Sequence, residues 1–284
     1  MPTGEAPFAA PLRQFRWRGH AIGYRVAGAG APLVLVHSIN AAASMFEMRR
    51  PFAALQATRR VYAFDLLGFG ESDRPAQVYD AVLYQALISD FIAEVVGGPA
   101  DVIASSLGAA YTAAAAAASP ALFRRLVLLC PTGLRDLVVP AVPGGAYAVL
   151  RSPVGEALFR ALASRSSIAW FLRSQTYADP ASVDDATIDG FVRAARHPGA
   201  RFAPICFLTG LLNCDLRQCF ARLAMPVQLI WGRAAVNTPV ARAADFVALR
   251  PATSLVVVER AGMLVQDEQP AALLAAVEPF LAAG

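Results

Sequence analysis

The run Val102-Ile103-Ala104-Ser105-Ser106-Leu107-Gly108 is an apolar strand-like stretch that breaks at once into a small-x-Ser-x-Gly turn and a helical pattern. Such a turn can present a nucleophile. It needs small residues two before and two after the serine, here Ala104 and Gly108, because a larger side chain would strike the neighbouring strand or helix, and it leaves the Ser106 hydroxyl at a helix N-terminus. A serine hydroxyl attacks a carbonyl carbon effectively only when a neighbouring base takes its proton. The 284-residue chain holds three histidines, His20, His37 and His197, so the candidates for that base are few.

Two further segments agree with the elbow. Pro32-Leu33-Val34-Leu35-Val36-His37, followed by Ser38 and Ile39, reads as a buried strand running into a loop, and Asp65-Leu66-Leu67-Gly68-Phe69-Gly70-Glu71-Ser72 reads as a glycine-rich turn. With these in order, and with Trp231-Gly232 closing a later strand, the chain resembles the α/β-hydrolase superfamily over nearly its whole length. The resemblance implies an α/β fold with a mostly parallel central sheet, helices on both faces and an inserted all-helical cap. It makes Ser106 the nucleophile and the backbone amides of Leu107 and Ile39 the oxyanion donors.

The rest of the family's triad does not carry over. A strand ending in Trp-Gly is commonly followed three residues later by the acid and four further on by proline; Pro239 keeps that spacing, but the acid's place is Ala235. The histidine normally follows a glycine and precedes Glu-x-Pro; Gly262, Glu268 and Pro270 are present, but the histidine's place is Met263. Deleting the histidine of a comparable triad costs on the order of a million-fold in turnover. An oxyanion hole alone leaves roughly a thousand- to ten-thousand-fold over water.

Several residues could in principle substitute for the missing acid or base. His20 sits near an N-terminal turn and reads as exposed. His37 reads as a structural residue fixing the oxyanion loop, with the role of surrogate base as its alternative. His197, in Arg196-His197-Pro198-Gly199, reads as a surface-loop residue. Asp136 and Asn237 read as loop-capping groups with no histidine to orient, and Asp65, Ser72 and Asp73 as braces of their own turn. The Met263 thioether cannot accept a proton from serine and reads as pocket wall.

Strands are expected over 21–26, 33–36, 61–64, 102–104, 126–129, 227–231 and 254–258, and helices over 44–55, 81–96, 106–119, 240–248 and 270–281. The six alanines from 113 to 118 fall inside a helix, where small residues allow close packing on a sheet. From 133 to 224 the alternation stops and the pattern becomes helical throughout, with Pro140, Pro143, Gly144 and Gly145 marking a hinge. The expected organisation is a core over 1–132 and 225–284 with a cap over 133–224. The cap holds more apolar side chains than one helical layer needs, so Trp170, Phe171 and Phe207, together with Ser38 and Ser105, are expected to line a pocket.

Composition narrows the partners. All 25 basic residues are Arg, scattered with doublets only at Arg49-Arg50, Arg59-Arg60 and Arg124-Arg125, and the net charge is +4; no basic stripe for nucleic acid emerges. No apolar run reaches the ~18 residues of a membrane-spanning helix. Pro2, Glu5, Pro7 and Pro11 interrupt any secretory signal, and the four cysteines form no CxxC pair and no cluster with histidine. A cytoplasmic chain with reduced thiols, no metal and no cofactor is expected. Its expected ligand is a small apolar molecule carrying a carbonyl, bound under the cap with little ordinary serine-hydrolase turnover. The alternatives are an enzyme of altered mechanism (a hydrolase, lyase or cyclase) using Ser106 with His37 or the substrate as proton acceptor, a conventional esterase with a differently placed triad, and a protein-binding scaffold.

Overall fold

The structure, a computed structural model, describes residues 8–135 and 145–283. Its centre is an eight-stranded sheet of order β1-β2-β4-β3-β5-β6-β7-β8, formed by β1 (Arg13–Trp17), β2 (His20–Ala27), β3 (Pro32–Val36), β4 (Arg60–Phe64), β5 (Ala100–Ser105), β6 (Phe123–Leu129), β7 (Val227–Gly232) and β8 (Ser254–Val258). Strands β3 to β8 run parallel, and β1 and β2 add an antiparallel edge. The central strands are continuous apolar runs because helices cover both of their faces; every residue of β5 and β7 is buried. The outermost strand, β1, was not expected. Its sequence Arg-Gln-Phe-Arg-Trp is mostly polar and exposed, as suits an edge, and it turns into β2 through Arg18 and Gly19, both at positive φ as a two-residue hairpin requires.

Around the sheet lie α1 (Arg49–Leu55), α2 (Ala81–Phe91), α3 (Ser106–Ala118), α9 (Ala243–Leu249), α10 (Val265–Glu268) and α11 (Pro270–Ala282). The helix expected over 44–55 is two pieces: Ser44 caps a 3-10 turn at Met45–Met48, and α1 follows. The one expected over 81–96 ends as α2 and a π turn, Ile92–Val96, closed by Gly97 in the left-handed region.

Between β6 and β7 the described residues carry α4 (Gly145–Arg151), α5 (Pro153–Leu162), α6 (Arg165–Phe171), α7 (Asp185–Ala195) and α8 (Phe202–Leu208), and no strand. The hinge residues Pro140, Pro143 and Gly144, and Asp136, lie outside the described residues. These helices keep a small core of their own, with Ile168, Leu172, Ile188 and Phe191 buried.

They are also fastened to the sheet domain. The Phe191 ring meets Phe46 edge-on at 5.6 Å, and the Met263 amide donates to Thr176 O at 2.7 Å. The Ala178 and Asp179 amides donate to the Glu268 carboxylate at 2.9 and 2.8 Å. No helix of the described residues is long and apolar enough to cross a membrane.

Candidate active site

Parallel pairing places β3 beside β5, with Val36 opposite Ala104. The loop leaving β3 and the turn leaving β5 therefore emerge together at the carboxyl edge of the sheet, where α/β folds form their ligand crevices. Ser106 opens α3 with φ +53, a left-handed backbone that side-chain-bearing residues rarely adopt. Gly108 is obligatory in its place, because a Cβ there would stand 2.1 Å from the His37 carbonyl oxygen. Ser106 is 9% exposed. Its hydroxyl makes no hydrogen bond to any described residue, and the neighbouring Ser105 hydroxyl is buried without a partner.

The two amides expected to act as oxyanion donors belong to Leu107 and Ile39. Leu107 lies in the first turn of α3, whose N–H groups have no intrahelical acceptor, and the Ile39 amide donates to no described residue. Both residues are buried.

Behind Ile39 the loop is tightly held. His37 is fully buried; its Nδ1 lies 2.6 Å from Ser38 O, and its Nε2 accepts from the Leu66 amide at 3.0 Å. These partners fix the neutral tautomer with the proton on Nδ1, and burial pushes its pKa down to about 4 despite the Ser38 bond. Both ring nitrogens are occupied by backbone groups, so neither is open to the Ser106 proton. Asp65 holds the next turn by accepting from the Met45 and Glu71 amides at 2.6 and 2.7 Å, and Ser72 donates to Asp65 O at 2.6 Å.

The residue that sequence reasoning missed here is Glu47. Fully buried, it accepts from the Ser38 amide at 2.6 Å through Oε1 and from the Ser38 hydroxyl at 3.0 Å through Oε2; in the neutral acid the second bond runs from the carboxyl O–H to Ser38 Oγ. Burial pushes its pKa up to about 8, against the pull of the Ser38 bonds. The folded chain thus keeps a proton on Glu47 between pH 4.5 and about 8 that the unfolded chain releases, so this group weakens folding as pH rises through that window. Asp65, raised by burial to about 6, acts in the same sense at lower pH, and His37 opposes it between about 4 and 6.5. Among these three groups Glu47 alone titrates above pH 6.5. Stability is therefore expected to fall by about 2 kcal/mol between pH 6.5 and 8, a slope that urea melts should detect and that Glu47→Gln should flatten.

At the two positions expected for the acid and the histidine, Ala235 is buried, its amide donating to Gly232 O at 3.2 Å, and Met263 is half-buried against the core. The two loops touch, the Ala234 amide donating to Ala261 O at 2.9 Å. Asn237 is exposed, its amide nitrogen 3.5 Å from Gln175 O.

The remaining histidines lie elsewhere. His20 starts β2 in the outer hairpin, two strands from β3. His197 lines a cavity of about 710 Å³ within the helical insertion, with Phe159, Arg160 and Arg201, and its charged neighbours are Arg74, Glu71 and Arg193.

Trp170 and Phe207 lie towards the surface. Helix α6 buries Ile168 and Ala169 and turns Trp170 outward, 63% exposed, above a surface hollow shared with Arg165 and Pro180. Helix α8 buries Ala203, Ile205 and Cys206 and leaves Phe207 38% exposed. Phe171 is half-buried, and Ser38 and Ser105 are buried. Cys130, Cys206 and Cys214 are buried, and Cys219 is half-buried; all four are free.

The fold is that of an α/β hydrolase. The Alpha/beta hydrolase family pattern matches residues 33–277, and the chain belongs to that family. An uncharacterised Mycobacterium tuberculosis protein is 27% identical over 96% of this chain and 82% of its own length. The 2-(acetamidomethylene)succinate hydrolase of Mesorhizobium japonicum is 26% identical over 90% of both. In three dimensions, a serine hydrolase involved in carbazole degradation superimposes with a TM-score of 0.80 at 22% identity, over 97% of this chain and 100% of the other.

Proposed function

We propose that this chain uses the crevice of an α/β hydrolase to bind a small apolar molecule through its carbonyl group, beneath a helical cap, with little or no serine-hydrolase turnover. The observation that carries this reading is the isolation of the Ser106 hydroxyl, which hydrogen-bonds to no described residue while the triad positions hold Ala235 and Met263. His37 is a brace of the oxyanion loop in this reading, since its Nε2 already accepts from Leu66. Without a base the hydroxyl stays protonated and weakly nucleophilic. The unused amides of Leu107 and Ile39 remain able to hold a carbonyl oxygen. The acetamido group in the name of the Mesorhizobium relative's substrate is itself a carbonyl, consistent with an inherited acceptor site.

The expected result is thermal stabilisation by lipophilic ketones at micromolar to millimolar concentration, exceeding that by matched hydrocarbons. p-Nitrophenyl butyrate should be cleaved no faster by this protein than by its Ser106→Ala variant. Serine-dependent turnover at ordinary esterase rates would overturn the proposal.

A second reading rests on the left-handed backbone at Ser106, a conformation costing of order 1–3 kcal/mol. In it Ser106 and the two amides assist a reaction in which the substrate supplies the proton acceptor. Loss of turnover of such a substrate in Ser106→Ala, with the fold intact, is the result that would establish it.

A further inference from the structure

We propose that Glu47 is a positioning residue for the oxyanion loop, acting through Ser38 to aim the Ile39 amide at the bound carbonyl; this rests on the carbonyl-binding reading above. Glu47 stands on the 3-10 turn before α1. Here that turn is pinned, Ser44 capping it and the Met45 amide donating to Asp65 at 2.6 Å, which delivers the Glu47 carboxyl beneath the loop that leaves β3.

Both Glu47 oxygens go to a single residue. The Ser38 amide at 2.6 Å and the Ser38 hydroxyl at 3.0 Å fix the backbone and the side chain of Ser38 together, and Asn40 Nδ2 donates to the same hydroxyl at 3.1 Å. This also accounts for a serine after His37: its hydroxyl is the second arm of the brace. The next peptide unit joins Ser38 C=O to Ile39 N–H. In a trans peptide these two groups point in opposite directions, and the carbonyl is already tied to the His37 ring at 2.6 Å. With Glu47 holding the N-terminal side of Ser38 and His37 holding its carbonyl, the direction of the Ile39 N–H is set.

Packing alone does not require this acid. A buried carboxyl is expensive to desolvate, and an apolar side chain of similar volume would ordinarily serve a core at least as well. The protein keeps the costly group where it controls one peptide plane.

The test uses the full chain with 4-phenylbutan-2-one and its matched hydrocarbon butylbenzene, read by dissociation constant and by the infrared carbonyl stretch of the bound ketone. In the wild type the stretch is expected to fall below its value in water, and the ketone to bind more tightly than the hydrocarbon. Glu47→Leu should remove the downshift and weaken ketone binding about tenfold, the equivalent of one hydrogen bond, with hydrocarbon affinity unchanged; Glu47→Gln, which keeps an acceptor for the Ser38 amide, should restore both. Should Glu47→Leu not fold, Ser38→Ala removes the hydroxyl arm alone and is expected to reduce the downshift in part. Equal downshifts in the wild type and in Glu47→Leu, or in Ser38→Ala if that is the variant measured, would overturn the inference while leaving the carbonyl site standing. No downshift in the wild type would overturn the carbonyl-binding reading itself, and the inference with it.

Discussion

Installing aspartate at position 235 and histidine at position 263 together is expected to raise hydrolysis of p-nitrophenyl acetate by at least about a thousand-fold, part of the roughly million-fold that a triad histidine is worth. The expectation rests on backbone that is already arranged. Ser106 keeps its elbow at φ +53. The loop after β7 and the loop after β8 are joined by the Ala234–Ala261 hydrogen bond, and the Met263 amide is anchored to Thr176. Gly262 N donates to Glu268 at 2.7 Å, so the turn presenting position 263 is held from both sides.

Met263→His alone should recover a smaller share, and Ala235→Asp alone almost nothing, because the acid acts only through the imidazole it orients. Initial-rate assays of the four proteins, each with Ser106→Ala as background, measure the effect. Two well-folded loops and a double variant no faster than its parent would mean that the Ser106 elbow is not arranged as in a working hydrolase.

Asp267→Ala is expected to destabilise the fold by about 3–5 kcal/mol, the usual cost of deleting one partner from a buried ion pair. Asp267 is fully buried on α10; Arg49 Nη1 and Arg50 Nε lie 2.7 Å from its oxygens, and Tyr177 donates to it at 2.6 Å. Arg50 is 43% exposed and can turn to water, whereas Arg49 is 12% exposed and would lose its counter-charge in place. Tyr177 belongs to the helical insertion, and Arg49 also donates to Thr187 there at 3.1 Å, so the same loss should loosen the insertion from the sheet domain. Urea unfolding would show the stability change, and limited proteolysis should cut the variant between α6 and α7 sooner than the wild type. A change under 1 kcal/mol would mean that the Asp267 cluster is not the anchor its geometry describes. Tyr177→Phe, which removes one hydrogen bond to a charged group, should cost about 1.5–3 kcal/mol.

Features written as local pattern were legible in the sequence. Seven of the eight strands follow from apolar runs between turn residues, and the elbow follows from two small residues at fixed distance around Ser106. The expectation that Ala235 and Met263 stand where an acid and a histidine would be rests on the register kept by Pro239, Gly262, Glu268 and Pro270. Strand β1 escaped because an edge strand needs no apolar alternation. Glu47 and Asp267 escaped for a different reason: each is an acid on a short helical turn with no local pattern to mark it as buried, and only tertiary contacts, Glu47 with Ser38 and Asp267 with Arg49 and Tyr177, enclose them. The exposure of Trp170 and Phe207 was not legible, because helices of seven residues are too short for apolar periodicity to say which face turns inward.

The most direct test of a serine left without a base is intact-mass measurement after incubation with a fluorophosphonate at neutral pH. No Ser106 adduct is expected over a time in which a triad hydrolase is fully modified. Stoichiometric labelling that Ser106→Ala abolishes would contradict it, and would require a proton acceptor beside Ser106 from outside the described residues.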